Sequence, residues 1–222
     1  VRKHITGTVT AYDWEYLPGG HVSGGTLSLL YHTQAGPLLC ASVGEYSLKE
    51  PNNMQIPQGV RHECLAPRIE AEKDGVVYSS IYEDRAVVVT QENEIAVTGV
   101  LKDIRHQALE EAENGRKQPS AYRFRYHFLE DGVEIEAEFQ QGRFICPLVS
   151  RGDERIEMAE DRRSIQIEKE TAVVEMRADN GLEMPYGTER IFHLVPGFQA
   201  VRVETEGKRC RITILVKEIH RR

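Results

Sequence analysis

The segment Ala121–Gln140, AYRFRYHFLEDGVEIEAEFQ, constrains what this chain can fold into more than any other. Tyr122, Phe124, Tyr126 and Phe128 alternate with Arg123, Arg125 and His127; beyond Asp131-Gly132, Val133, Ile135, Ala137 and Phe139 alternate with Glu134, Glu136 and Glu138. Period-two patterning with one apolar and one charged face marks an antiparallel hairpin lying on a core. A two-residue turn at Asp131-Gly132 would set Phe128 against Ile135, Tyr126 against Ala137 and Phe124 against Phe139. On the solvent side it would set His127 against Glu136 and Arg125 against Glu138, opposite charges worth a few tenths of a kcal/mol each. A slip of one residue would bury every charge, so the register is expected to be firm.

The same period recurs along the chain, and helical periodicity is nearly absent. Lys3–Tyr12 reads as a first strand, Arg68–Glu72 and Val76–Ser80 as a hairpin around Asp74-Gly75, and Ala86–Gln91 and Glu94–Leu101 as another around Glu92-Asn93. Further strands are expected at Phe144–Val149, Arg155–Ala159, Ser164–Lys169, Ala172–Ala178, Thr188–Leu194, Ala200–Thr205 and Arg209–Lys217. Gln107–Glu113 is rich in helix formers and ends at Asn114-Gly115, so one or two helical turns are expected there. Many short strands with regular turn signals describe an all-β fold: a large antiparallel β-sandwich of the super-sandwich kind with few or no helices. No shift in composition divides the chain, and residues 1–222 are read as a single domain.

Composition limits the function classes. A formal net charge of −7 opposes nucleic-acid binding, which needs a basic face for phosphates; a local basic cleft could still take an anionic ligand. No apolar run is long enough to span a membrane as a helix. Cys40, Cys64, Cys146 and Cys210 are far apart, without a CxxC pair, and are expected to be buried free thiols, with one or two disulfides of unassigned pairing as the alternative. The eight histidines show neither HxH nor HExxH spacing, so neither a metal nor a cofactor is expected. Nucleophile-elbow, P-loop and dinucleotide motifs are also missing.

One stretch combines polar groups with permissive backbone: Pro18–Ser42, PGGHVSGGTLSLLYHTQAGPLLCAS. Gly19-Gly20 and Gly24-Gly25 frame His21 and Ser23, and glycine permits positive φ and close approach of a ligand to the backbone. A histidine titrates near neutrality, which suits proton transfer. Tyr12, Tyr16 and Tyr31 lie nearby in sequence, and Trp14 offers an aromatic face for a sugar or a core. The long irregular segment Gly44–Arg61, with Asn52 and Asn53, is expected to be an ordered loop over one end of the sheets.

These residues carry a resemblance. His21–Ser42 resembles the C-terminal β-sandwich of heparinase II/III-like polysaccharide lyases, which carries an HxHxDxLS-type motif and a G-x-P-L-L return. His21 matches the first histidine, Leu27-Ser28 the LS and Gly36-Pro37-Leu38-Leu39 the return; Ser23 and Gly25 stand where the second histidine and the acidic residue would be. Glu50–Gln55, EPNNMQ, is similar to a loop of the same proteins. The resemblance implies the C-terminal part of a larger periplasmic or secreted protein with an N-terminal helical toroid domain. It implies a substrate-lining role toward an acidic, uronate-containing polysaccharide cleaved by β-elimination, the chain alone being inactive. His21 would then serve as the catalytic candidate, and Trp14, Ser23, Asn52 and Asn53 as substrate contacts. Two other readings stay open: a non-catalytic carbohydrate-binding or interdomain packing module, and a self-sufficient glycosidase or sugar-modifying enzyme.

Overall fold

A computed structural model describes residues 4–12, 22–41, 64–113, 116–185, 187, 190–193 and 197–219. In chain order the strands are β1 (Ile5–Thr10), β2 (Thr26–His32), β3 (Gly36–Cys40), β4 (Arg68–Lys73), β5 (Val76–Ser79), β6 (Val87–Gln91), β7 (Glu94–Val100), β8 (Glu110–Glu113) and β9 (Arg116–Pro119). There follow β10 (Ala121–Phe128), β11 (Gly132–Phe139), β12 (Arg143–Ser150), β13 (Arg155–Met158), β14 (Ser164–Glu168), β15 (Ala172–Ala178), β16 (Ile191–Phe192), β17 (Gln199–Glu206) and β18 (Arg209–Glu218). Among the described residues the one helical element is a 3-10 turn, Ser80–Tyr82. The expected all-β, antiparallel sandwich is what the chain forms.

An eight-stranded sheet in the order β13-β14-β15-β18-β11-β10-β7-β6 stacks on a five-stranded sheet in the order β16-β17-β12-β4-β5. A three-stranded sheet, β1-β2-β3, and the β8-β9 ribbon complete the architecture. Alternation decides which residues meet between the layers: Tyr122, Phe124 and Tyr126 of β10 point inward while Ala121, Arg123, Arg125 and His127 face solvent. Phe124 meets Phe144 of β12 edge-on across the interlayer space, centroids 5.9 Å apart, and Leu27, Leu30, Leu38 and Leu39 of the small sheet join the same core. Burial of a side chain like Phe124 contributes about 2–3 kcal/mol. Strand β12 breaks the alternation because both its faces are covered: Phe144, Cys146 and Leu148 on one, Ile145 and Val149 on the other. Pro147 fits within it because β4 pairs only with Arg143–Ile145, so no ladder bond on that side is lost.

Two local expectations are corrected. The β10–β11 hairpin pairs Phe128 with Val133, Tyr126 with Ile135 and Phe124 with Ala137, which leaves Glu130-Asp131 as the turn. The faces are as expected, but the register differs by one step of the pleat: His127 opposes Glu134, and Arg125 opposes Glu136. Gly132 is the reason. It lies inside β11 opposite Leu215, and a Cβ there would stand 2.1 Å from the Ile214 carbonyl oxygen. Glycine serves close packing of β18 rather than the turn. The second correction concerns Gln107–Glu113, where Glu110–Glu113 pairs with Arg116–Pro119 as a ribbon; strand pairing overrides its helical propensity. The Asp74-Gly75 turn is as expected, both residues having positive φ.

All four cysteines are free, and all but the half-buried Cys40 are buried. Burial pushes the Cys210 thiol up to about 12, so it behaves as a small apolar side chain.

Candidate functional site

Chain segments converge on the outer side of the five-stranded sheet. Val22, Ala41, Cys64, Leu65, Ala66, Ile81, Ile191 and Ala200 form a satellite core separate from the main one. Val22 directly follows His21, while Ala41 precedes and Cys64 follows the segment containing Asn52 and Asn53. The bases of both candidate loops are therefore packed together, although they are far apart in sequence. Trp14, His21, Asn52 and Asn53 themselves, with Tyr16 and the Gly44–Arg61 loop, lie outside the described residues.

Ser23 is the described member of the predicted set. It is buried, and its hydroxyl accepts a bond from the Tyr12 amide (2.9 Å) and donates to the Tyr12 carbonyl (3.2 Å). This pair clasps the two stems of the segment that holds Trp14 and His21. The Ser23 amide also donates to the Ile81 carbonyl at 3.0 Å, and the Gly25 amide to Thr10 at 2.9 Å. Tyr12 is exposed at the same base, and Tyr31, also exposed, lies toward the far end of β2, opposite Thr6.

Gly24 and Gly25 have φ of +67° and +73°. A Cβ on Gly24 would lie 1.8 Å from the Ser80 carbonyl oxygen, and one on Gly25 2.3 Å from a Val97 methyl. The backbone approach read from sequence is real, but the approaching groups are the protein's own. Tyr122 and Tyr126 complete the cradle: their hydroxyls donate to the Gly24 and Gly25 carbonyls at 2.7 and 2.8 Å. Burial, then the Glu83 carboxylate and Tyr126, push the Tyr122 phenol well above its ordinary range; burial and Cys146 do the same for Tyr126. Both are hydrogen-bond donors that hold the loop, a role the sequence did not reveal because it requires pairing across about a hundred residues.

Beside this satellite core the outer face of the sheet carries buried ions. The Arg68 guanidinium donates to Glu70 (2.7 Å) and to the carbonyls of Cys64 (2.9 Å) and Ala66 (3.3 Å), so it fixes the chain where it enters β4. Glu204 accepts from Arg143 (2.8 Å) and from Arg202. Register sets Arg68, Ile145 and Glu204 side by side on three strands. His193, expected to be a packed strand residue, is buried just after β16 and hydrogen-bonds the Cys40 carbonyl at 2.6 Å. The arrangement places ion-paired arginines and carboxylates next to the loop bases, where their charge-assisted bonds fix the chain.

His4, His32 and Asp131 form a separate group whose donor atoms lie within 4.8 Å of one another. His4 Nδ1 is 2.8 Å and His32 Nε2 3.4 Å from Asp131 Oδ1. However, His32 Nδ1 accepts bonds from the Gln34 and Ala35 amides at 3.2 and 3.3 Å, which assigns the ring proton to Nε2. That tautomer turns a hydrogen, not a lone pair, toward the group. The trio suits a clasp between the β2–β3 hairpin and the β10–β11 turn better than a metal centre.

Sequence comparison identifies this antiparallel sandwich as a polysaccharide-lyase C-terminal domain. The family model described as the ulvan lyase C-terminal domain matches residues 1–219, and the chain belongs to that family. It is 30% identical over 209 residues to a broad-specificity ulvan lyase of Formosa agariphila, covering 89% of this chain and 32% of that protein. The chain thus spans about a third of the length of this curated relative. Among solved structures it is similar to the 4-alpha-glucanotransferase of Thermococcus litoralis, with a TM-score of 0.49, 10% identity, and coverage of 96% of this chain and 39% of that one.

Proposed function

We propose that this chain is the substrate-lining sandwich domain of a lyase that cleaves an acidic, uronate-bearing polysaccharide by β-elimination, in the manner of heparinase II/III-like enzymes. The observation that carries the reading is the convergence of Val22, Ala41 and Cys64 in one satellite core, joined to membership of the ulvan lyase C-terminal family. In β-elimination a base removes the proton α to the uronate carboxylate, the C4–O bond breaks as a C4=C5 double bond forms, and the leaving oxygen gains a proton. Negative charge builds on the carboxylate, so a nearby cation or donor accelerates the step. His21 is the residue of this chain offered for carboxylate neutralisation or proton transfer, with Trp14, Asn52 and Asn53 as sugar contacts. Ser23 acts by closing the loop base. The remaining acid–base groups would come from a helical domain of the whole protein.

The test is His21→Ala in the whole lyase, followed by the absorbance of the unsaturated uronate product. Turnover should fall by roughly 10²-fold or more with unchanged thermal unfolding. Full retention of turnover would sink the assignment.

One observation favours an added packing role. Val76 and Val77 on β5, with Val87, Val88 and Val89 on β6, are exposed apolar residues on the outermost strands of the two large sheets. An uncovered apolar edge suits another domain of the same protein.

A further inference from the structure

The outer face of the eight-stranded sheet is a charge ladder. Arg125 lies by Glu94 (3.3 Å) and Glu136 (3.4 Å), and Arg211 by Glu136 (2.5 Å) and Glu134 (3.7 Å). Arg177 and Lys217 converge on Glu175 at 2.8 and 2.6 Å. The balance fails at one place. At the far end of β7, β10, β11 and β18 an open groove of about 480 Å³ is lined by Thr98, Gly99, Arg123, Gln140, Lys208 and Arg209, with Glu138 as its carboxylate. Glu138 sits 3.4 Å from Arg209. Arg123 and Lys208 are exposed and make no ion pair among the described residues. Three cations share one carboxylate on a chain whose net charge is −7.

We infer that this groove is a second glycan-binding site, an anchoring subsite for the anionic groups of an acidic polysaccharide, at one end of the eight-stranded sheet. Arginine presents a planar fork that matches a carboxylate or sulfate with two parallel hydrogen bonds. Thr98 and Gln140 add hydroxyl and amide groups of the kind that bind sugar hydroxyls. A polymer held here and again at the loops would gain from effective concentration, since the second contact is intramolecular. The ligand class rests on the lyase reading above; the existence of an anion site does not.

Titration of the chain with polygalacturonate oligosaccharides, followed by NMR shifts of the groove residues, tests this. Binding should be absent with neutral dextran and should weaken as salt rises. Arg123→Glu combined with Lys208→Glu, two exposed positions, should weaken it at least tenfold and leave thermal unfolding unchanged. His21→Ala should leave it intact. Equal binding by the double variant would overturn the site, and equally tight binding of polyphosphate of matched length would overturn its glycan assignment. Turnover that survives His21→Ala while polyuronate still binds the groove would defeat the catalytic reading and leave this one standing.

Discussion

On the outer face of the eight-stranded sheet, cross-strand neighbours carry opposite charges, and partners come from adjacent strands in register. The outer side of the five-stranded sheet gathers loop bases, a buried arginine and a satellite core, and contacts there reach distant parts of the chain, as where His193 meets the Cys40 carbonyl. The first surface is a repeating pattern in which one pair contributes little, because water competes for each exposed ion. On the second, each group is fixed by a few specific and buried contacts. Substitutions should therefore separate the two faces by size of effect.

The largest loss is expected at Gly24. Gly24→Ala adds a Cβ against the Ser80 carbonyl in a backbone conformation of positive φ. It should cost about 4 kcal/mol or prevent folding, as read by urea denaturation; a loss under about 1 kcal/mol would mean that the cradle is not rigid. An intermediate effect is expected at Glu175, the ladder's most buried carboxylate. Burial would raise its pKa, but bonds from Arg177, Lys217 and Gln166 together hold it at about 2 rather than 4.5. A depressed carboxyl contributes stability above its unfolded value, and that contribution is lost as pH falls from about 4.5 through 2. Glu175→Gln should then cost about 1–2 kcal/mol at neutral pH, less than the full shift because its cationic partners are exposed. The gap from the parent should close in denaturation curves taken across that acid window. The smallest effect is expected for Arg125→Ala, below about 0.5 kcal/mol despite two carboxylates within reach. A loss above 1 kcal/mol would show that the ladder acts as a cooperative network.

Legibility in the sequence follows the same division. Strands β10 and β11 announce their faces through alternation, and Asp74-Gly75 its turn, because these signals are local. The register of that hairpin was not legible. Gly132 has two physical uses, turn and close approach, and only the presence of Ile214 across the sheet decides between them. Glu110–Glu113 carries helical propensity that pairing with Arg116–Pro119 overrides. At the site, the glycines of Gly24-Gly25 were legible as a place of close approach, but not what approaches. Ser80, Val97, Tyr122 and Tyr126 arrive from well down the chain. The tautomer of His32 likewise depends on the amides of its own turn and on Asp131, seen only once the sheets are assembled.

The Ser23–Tyr12 clasp has a consequence for how such a domain can change. It ties the residues that flank one segment to each other, so the sandwich registers where that segment begins and ends more than what it contains. Closing a flexible loop of twice the length costs only about 0.6 kcal/mol more. Insertions or exchanges within residues 13–21 that keep the buried Val22 should therefore cost the scaffold little, and under the proposed role they are the place to seek a changed saccharide preference.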